Sequence, residues 1–176
     1  TILGYGGTFT AFTYLAPILQ EEAGFAPSAI SLIMLVYGVS VAVGNIYGGK
    51  LADKKGPIRA LTIIFSALAV ILFALTFTMG SKVAAVITVL VWGAFAFGNV
   101  PGLQVYVVQL AEKFTPNAVD VASGLNIAAF NIGIAVGSIL GGAIVDGMQL
   151  SDTAWIGAII SVAALLVTRY SGYLDK

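Results

Sequence analysis

Asp53 stands in the one stretch of this chain where charge is dense, Gly48-Gly49-Lys50-Leu51-Ala52-Asp53-Lys54-Lys55-Gly56-Pro57-Ile58-Arg59. A carboxylate among four cations can be paired in one arrangement and released in another, which is the chemistry of a latch. Gly56 can take the positive φ that closes a helix, and Pro57 suits the first turn of the next. Asp53 therefore falls at a helix C-terminus, where its charge opposes the macrodipole. Compensation is expected from Lys54, Lys55, Arg59 or the N-terminus of another helix. The bland alternative is a solvated tight turn with anchoring lysines.

The second chemically capable set is made of amides. Asn45, Asn99, Gln104, Gln109, Asn126 and Asn131 lie inside long apolar runs. A buried amide in lipid is costly unless paired or hydrated. Each alone reads as an interhelical hydrogen bond; as a set they point to a polar cavity, with the aromatic stripe Tyr5, Phe9 and Phe12 beside it. Asn99 and Tyr106 share a helix face at i+7, as do Gly124, Asn131 and Ser138.

Other chemistry is excluded by composition. The chain has no histidine and no cysteine. That removes disulfides, thiolate nucleophiles and ordinary zinc, haem or iron–sulfur sites, so no metal and no cofactor is expected. A membrane protease or metal hydrolase would need histidine or intramembrane acids. Eight basic and eight acidic residues cancel, leaving no field to attract nucleic acid.

The elements that position these residues follow from where charge is missing. Hydrophobic residues make up 59% of the chain and charged ones 9%, against about 25% charged in soluble domains. Uncharged runs cover 1–20, 23–49, 60–81, 83–111, 121–145 and 153–168. A spanning helix needs roughly 17–25 apolar residues. Six spans are therefore predicted near 1–20, 29–49, 58–80, 83–111, 121–145 and 153–170, forming a single bundle over 1–176. Pro101 predicts a tilt or kink in the fourth. Seven of the eight basic residues, all but Lys82, fall on one side of this topology. The positive-inside rule puts that side, and both termini, in the cytoplasm. The chain opens in apolar residues with no flanking anchor, so it reads as a fragment whose N-terminal part is missing.

Spans two and five repeat each other. Residues 41–53 align without gaps to 134–146, Val-Ala-Val-Gly-Asn-Ile-Tyr-Gly-Gly-Lys-Leu-Ala-Asp against Ile-Ala-Val-Gly-Ser-Ile-Leu-Gly-Gly-Ala-Ile-Val-Asp. Copies three spans apart cross the membrane in opposite directions. The fold class is thus all-α membrane protein, six transmembrane helices as two inverted three-helix repeats, an arrangement of secondary transporters. Gly44 and Gly48 on span two, and Gly133, Gly137 and Gly141 on span five, form stripes that allow close helix approach. Spans three and six carry no amide and are expected to face lipid.

The loop resembles the signature of the major facilitator superfamily, Gly-x-Leu-Ala-Asp-[Arg/Lys]-x-Gly-[Arg/Lys]-[Arg/Lys]. Gly49, Leu51, Ala52, Asp53, Lys54 and Gly56 match it; Pro57 and Ile58 replace the last two basic residues, with Arg59 one position later. Phe12-Thr-Tyr-Leu-Ala-Pro17, Gly24-Phe25 and Ala122-Ser-Gly-Leu-Asn-Ile-Ala-Ala-Phe-Asn-Ile-Gly133 resemble the C-terminal half of the bacterial sugar-efflux and drug:proton antiporter branch. Gly137-Ser138-Ile-Leu-Gly141-Gly142 looks related to the antiporter motif Gly-Pro-x-x-Gly-Gly, with Ser138 for the proline. The resemblance implies half of a twelve-helix fold whose helices one, two, four and five of each half border the cavity.

The reading is a secondary transporter of the bacterial inner membrane, exporting small organic solutes such as sugars or drugs by alternating access. Proton exchange is implied by the resemblance alone. The expected partners are solute, protons, membrane lipid and the missing N-terminal half. The expected gate loop is Gly49, Lys50, Asp53, Lys54, Gly56 and Arg59. The expected cavity is Tyr5, Phe9, Asn45, Asn99, Gln104, Asn126 and Asn131. The alternatives are a non-transporting membrane scaffold and a channel-like six-helix protein, although the two Asn-Pro-Ala boxes of an aquaporin-like pore are missing.

Overall fold

A computed structural model describes residues 1–175; Lys176, counted above with the cytoplasmic basic residues, lies outside them. The elements are α1 (Ile2–Phe12), α2 (Leu15–Pro17), a π-helical turn (Ile18–Glu22), α3 (Pro27–Lys55), α4 (Pro57–Thr78), α5 (Lys82–Ala96), α6 (Asn99–Phe114), a 3-10 turn (Pro116–Ala118), α7 (Val119–Gly147) and α8 (Asp152–Leu174). They combine into six helices long and apolar enough to cross a membrane: Ile2–Glu22, Pro27–Lys55, Pro57–Thr78, Lys82–Phe114, Pro116–Gly147 and Asp152–Leu174. No strand occurs among the described residues.

Helix starts follow local chemistry. Pro27 and Pro57 begin α3 and α4, where the missing N–H costs nothing and φ is already helical. Asp152 starts α8 by accepting the Gln149 backbone N–H at 2.9 Å and the Trp155 indole N–H at 2.7 Å, which places a negative charge at the positive end of the helix dipole. Between α3 and α4 there is one residue, Gly56, at φ 80° and ψ 154°. Only glycine adopts that conformation without strain. Helix α3 runs on past position 49 to Lys55, so the charged loop of the sequence is mostly the last turns of a helix.

Spans one and four are both interrupted, each four residues before a proline. Span one breaks at Thr13 and Tyr14, ahead of Pro17; span four breaks at Phe97 and Gly98, ahead of Pro101. A proline cannot donate to the carbonyl four residues back, and its ring crowds that carbonyl. At the second break the Phe97 carbonyl accepts the Val100 N–H at 3.2 Å instead.

The packing carries the inverted repeat further than the sequence comparison did. Helix α7 lies on α1: a Cβ on Gly137 would come 2.5 Å from the Gly6 carbonyl oxygen, and one on Gly141 2.5 Å from that of Thr10. Helix α3 lies on span four in the same way, Gly44 against the Ala94 backbone and Gly48 against that of Gly98. Gly6 and Thr10 thus hold in span one the places that Ala94 and Gly98 hold in span four. These are backbone-to-backbone approaches that only a missing side chain permits.

Spans three and six pack on one another, α4 against α8, and Leu61, Phe65, Leu68 and Leu72 of α4 are fully enclosed. The expectation that these spans face lipid is corrected to one face each. Their outward faces are apolar, with Val70, Phe73 and Phe77 on α4 and Val162, Leu166 and Val167 on α8. Their inward faces build the core. Helices α3 and α7 are instead the least enclosed spans, and expose long apolar rows such as Leu32, Leu35, Val39, Val43 and Ile46.

Candidate solute pathway and gate

The amides divide into a connected group and a dispersed one. Asn126 of α7 donates through Nδ2 to Gln104 Oε1 of α6 at 2.9 Å. Gln104 Nε2 donates to the Ser123 hydroxyl, and the Thr1 hydroxyl donates to Asn126 Oδ1. One chain of hydrogen bonds therefore ties spans one, four and five. A second tie joins Thr13 to Ser138, hydroxyl to hydroxyl at 2.8 Å. Asn131, one α7 turn-pair before Ser138, is exposed and donates only to its own helix, at the Ile127 carbonyl, 3.0 Å away. The open face of α7 thus presents Gly124, Asn131 and Ser138, as their seven-residue spacing requires.

The four other predicted cavity residues are held differently. Asn99 is fully buried and donates to the Ala96 carbonyl at 3.0 Å, with its own side-chain oxygen unpartnered. Its i+7 neighbour Tyr106 bonds Ser171 of α8 at 2.8 Å, so the face shared by Asn99 and Tyr106 turns into the bundle. Asn45 reaches the Phe97 carbonyl at 3.5 Å, the group that Pro101 deprives of its regular helical donor and that the Val100 N–H also meets. Tyr5 is completely enclosed, its ring centroid 3.7 Å from that of Phe130 and 6.0 Å from that of Phe97. Phe9 is partly open and meets Phe12 at 5.3 Å and Phe97 at 6.2 Å. Phe12 stacks on Tyr37 at 5.2 Å. The stripe on span one is therefore an aromatic seam running between spans one, two, four and five.

Thr1, Thr13, Ser123 and Ser171 were not singled out in the sequence, and Ser138 was placed only by its helix face and its motif. Hydroxyls were the missing signal, but many in these spans satisfy themselves on the carbonyl four residues back, as Thr10 does with Gly6 and Ser161 with Gly157. Thr13 does both, so only tertiary placement shows which hydroxyls cross between helices.

In the gate loop, Asp53, Lys54, Lys55 and Arg59 are all exposed. The intraloop compensation expected for Asp53 is not made: no basic side chain of the described residues lies within 4.0 Å, and the one ion pair among them is Lys113–Asp175 at 2.7 Å. The reason is geometric. With α3 continuing to Lys55, positions 53, 54 and 55 point about 100° apart around the helix, and Arg59 already belongs to α4. Lys50 instead lies over the Tyr47 ring, 5.4 Å from its centroid. No group of metal-ligating residues occurs among the described residues.

A bundle of six apolar spans in two inverted halves, with its intramembrane polar groups bridging spans one, four and five, has the form of a membrane transporter's repeat unit. The chain belongs to the major facilitator superfamily, whose family model matches residues 1–173. It is 54% identical over its whole length to the uncharacterized MFS-type transporter YtbD of Bacillus subtilis (strain 168). It is 36% identical over 97% of its length to the inner membrane transport protein YdhP of Escherichia coli (strain K12). It is 30% identical over its whole length to the uncharacterized MFS-type transporter YfhI of Bacillus subtilis (strain 168). The chain spans 43–44% of the length of these relatives. Proteins of this family are transporters, not enzymes.

Proposed function

We propose that these six spans form the C-terminal half of a twelve-span secondary transporter of the inner membrane. It exports small organic solutes of the sugar or drug class by alternating access, in exchange for protons. Both ends of the chain are cytoplasmic in this reading. The observation that carries it is the hydrogen-bonded group Thr1, Asn126, Gln104 and Ser123. A polar network shared by three spans of an otherwise apolar bundle has the chemistry to exchange its internal bonds for those of a hydroxylated or amine-bearing solute. Asn131 and Ser138 lie on a second face of α7, about 140° around the helix from Asn126, and with Phe9 line the side open toward the other half. Tyr5, Asn45 and Asn99 stand behind it, shaping the seam and the break in span four.

Gly49, Lys50, Asp53, Lys54, Gly56 and Arg59 act in this reading as a conformational gate. Asp53, which makes no ion pair among the described residues, can engage a basic side chain or helix N-terminus of the other half when the cytoplasmic side closes. The test is flux. Full-length protein in proteoliposomes is given an imposed proton gradient and assayed with radiolabelled sugars and cationic dyes. Saturable solute movement that collapses when a protonophore dissipates the gradient supports the reading. Movement indifferent to the gradient removes the proton, and the absence of solute movement removes transport.

A further inference from the structure

Two cavities on the outer flank of the bundle share a single residue, Ile63. The first is an open groove of about 740 Å3 between α4 and α8, lined by Lys54, Lys55, Arg59, Arg169, Thr62 and Tyr173, with Ile58, Ile63 and Gly172 as its floor. Four cations line it and no acid does. Of the two acids that flank it, Asp175 is held by Lys113, and Asp53, one residue before Lys54, is exposed outside the lining. The groove also lies at the N-terminus of the 22-residue helix α4, whose dipole adds positive potential. The second cavity is a cleft of about 420 Å3 between α3, α4 and α5, almost wholly apolar, lined by Val43, Tyr47, Leu51, Ile64 and Phe95. The glycines that bring α3 against span four, Gly44 and Gly48, lie along it.

The geometry points to a binding site for an anionic glycerophospholipid, its phosphodiester in the cationic groove and an acyl chain in the apolar cleft. Length supports this occupant. From Lys54 to Val43 along α3 is about 16 Å at 1.5 Å per residue, which matches one leaflet, half of the ~30 Å hydrocarbon core. Charge supports it as well, since basic pockets between transmembrane helices at a membrane surface select anionic headgroups. The surroundings favour lipid over protein. The outward faces of α4 and α8 beneath the groove expose only apolar side chains, and Tyr173 of the groove lining is exposed, as aromatic residues at the membrane interface are. The site does not depend on which side of the membrane the groove faces, so its fate is separable from that of the proposed topology.

Native mass spectrometry of the full-length protein in nonionic detergent tests it, with phosphatidylglycerol, phosphatidylcholine and inorganic phosphate as probes. Phosphatidylglycerol adducts are expected to exceed phosphatidylcholine adducts at equal concentration. Lys55→Gln with Arg169→Gln should weaken the adduct about thirtyfold, given about 1 kcal/mol per basic residue near an anionic surface. Ile63→Trp, which obstructs the junction of groove and cleft, should weaken it independently. Size-exclusion profiles in the same detergent establish that these variants are folded. Equal retention of both lipids, or indifference to the double variant, would overturn the proposal. So would displacement of the adduct by millimolar inorganic phosphate, which would make the groove a free-anion site. A crosslink from Ile63 to the remainder of the protein, without any lipid adduct, would assign the flank to protein and overturn it too.

Discussion

Asn126 and Gln104 are joined amide to amide across 2.9 Å, one on α7 and the other on α6, and each makes a further bond outward, to Thr1 and Ser123. An interhelical hydrogen bond in a membrane is worth only about 0.6 kcal/mol on average. Asn126→Leu or Gln104→Leu should therefore leave the fold intact, lowering the thermal midpoint of the full-length protein by a few degrees at most. If these amides receive the solute, apparent KM should rise about tenfold or more, the effect of one lost hydrogen bond of about 1.4 kcal/mol. A large stability loss with unchanged KM would make the network purely structural.

The glycines separate by what surrounds them. Gly48→Leu and Gly137→Leu drive a side chain into backbone, at Gly98 and Gly6 respectively, and backbone cannot step aside cheaply. Both should abolish monodisperse protein in fluorescence-detected size exclusion. Gly38→Ala and Gly124→Ala meet nothing within 4 Å and should be tolerated, with a gain of up to about 1 kcal/mol from replacing a mid-helix glycine. Loss of all four variants alike would show sensitivity to helix composition rather than to close approach.

Asp53→Asn removes the one charge of the α3 terminus that opposes its own helix dipole. Among the described residues Asp53 makes no ion pair that the substitution could break. A partner in the other half is therefore the expected source of a phenotype. The expected result in the full-length protein is a shift of roughly tenfold toward the inward-open state, read by reactivity of single cysteines placed on the cytoplasmic side of the cavity. The absence of native cysteine makes that labelling clean. Unchanged turnover and unchanged reactivity would leave a solvated turn.

Asn45 and Pro101 should be energetically coupled. The amide of Asn45 reaches the Phe97 carbonyl that Pro101 deprives of its helical donor. Asn45→Val alone should destabilise. In a Pro101→Ala background, where residue 101 again carries an N–H for Phe97, the same change should cost less. A double-mutant cycle by thermal unfolding should return a coupling of about 0.5–1 kcal/mol. Strict additivity would mean the two residues act apart.

Much of this fold was legible because a membrane imposes length. Six uncharged runs can do little other than span, and Gly56 with Pro57 marks a helix junction wherever it occurs. The repeat was legible only where glycines hold it, between spans two and five. Spans one and four share a structural role without sharing side chains, since Gly6 and Ala94 need only be small. Their correspondence emerged from what each touches. The amides were found by type, but type did not tell which would pair across helices, as Asn126 does, and which would mend a local break, as Asn45 does. The burial of Tyr5 depended on how α1 seats between α7 and α8, which no local pattern encodes. Gly56 placed Asp53 at a helix C-terminus, but whether Lys54, Lys55, Arg59 or the N-terminus of another helix would meet its charge depends on directions around the helix that residue type does not give.

The seating of α1 also has a consequence in time. Its partner α7 is far along the chain: Thr1 and Asn126 are 125 residues apart. At a synthesis rate of roughly 5–20 residues per second, span one enters the membrane about 6–25 s before the helix that covers Gly6. Through that interval Gly6 offers bare backbone to lipid or to the insertion machinery, and Gly7 waits longer still, for Gly157 of α8. The nascent chain must therefore keep span one unclaimed until span five arrives, and the steps of biogenesis most open to error lie in that wait.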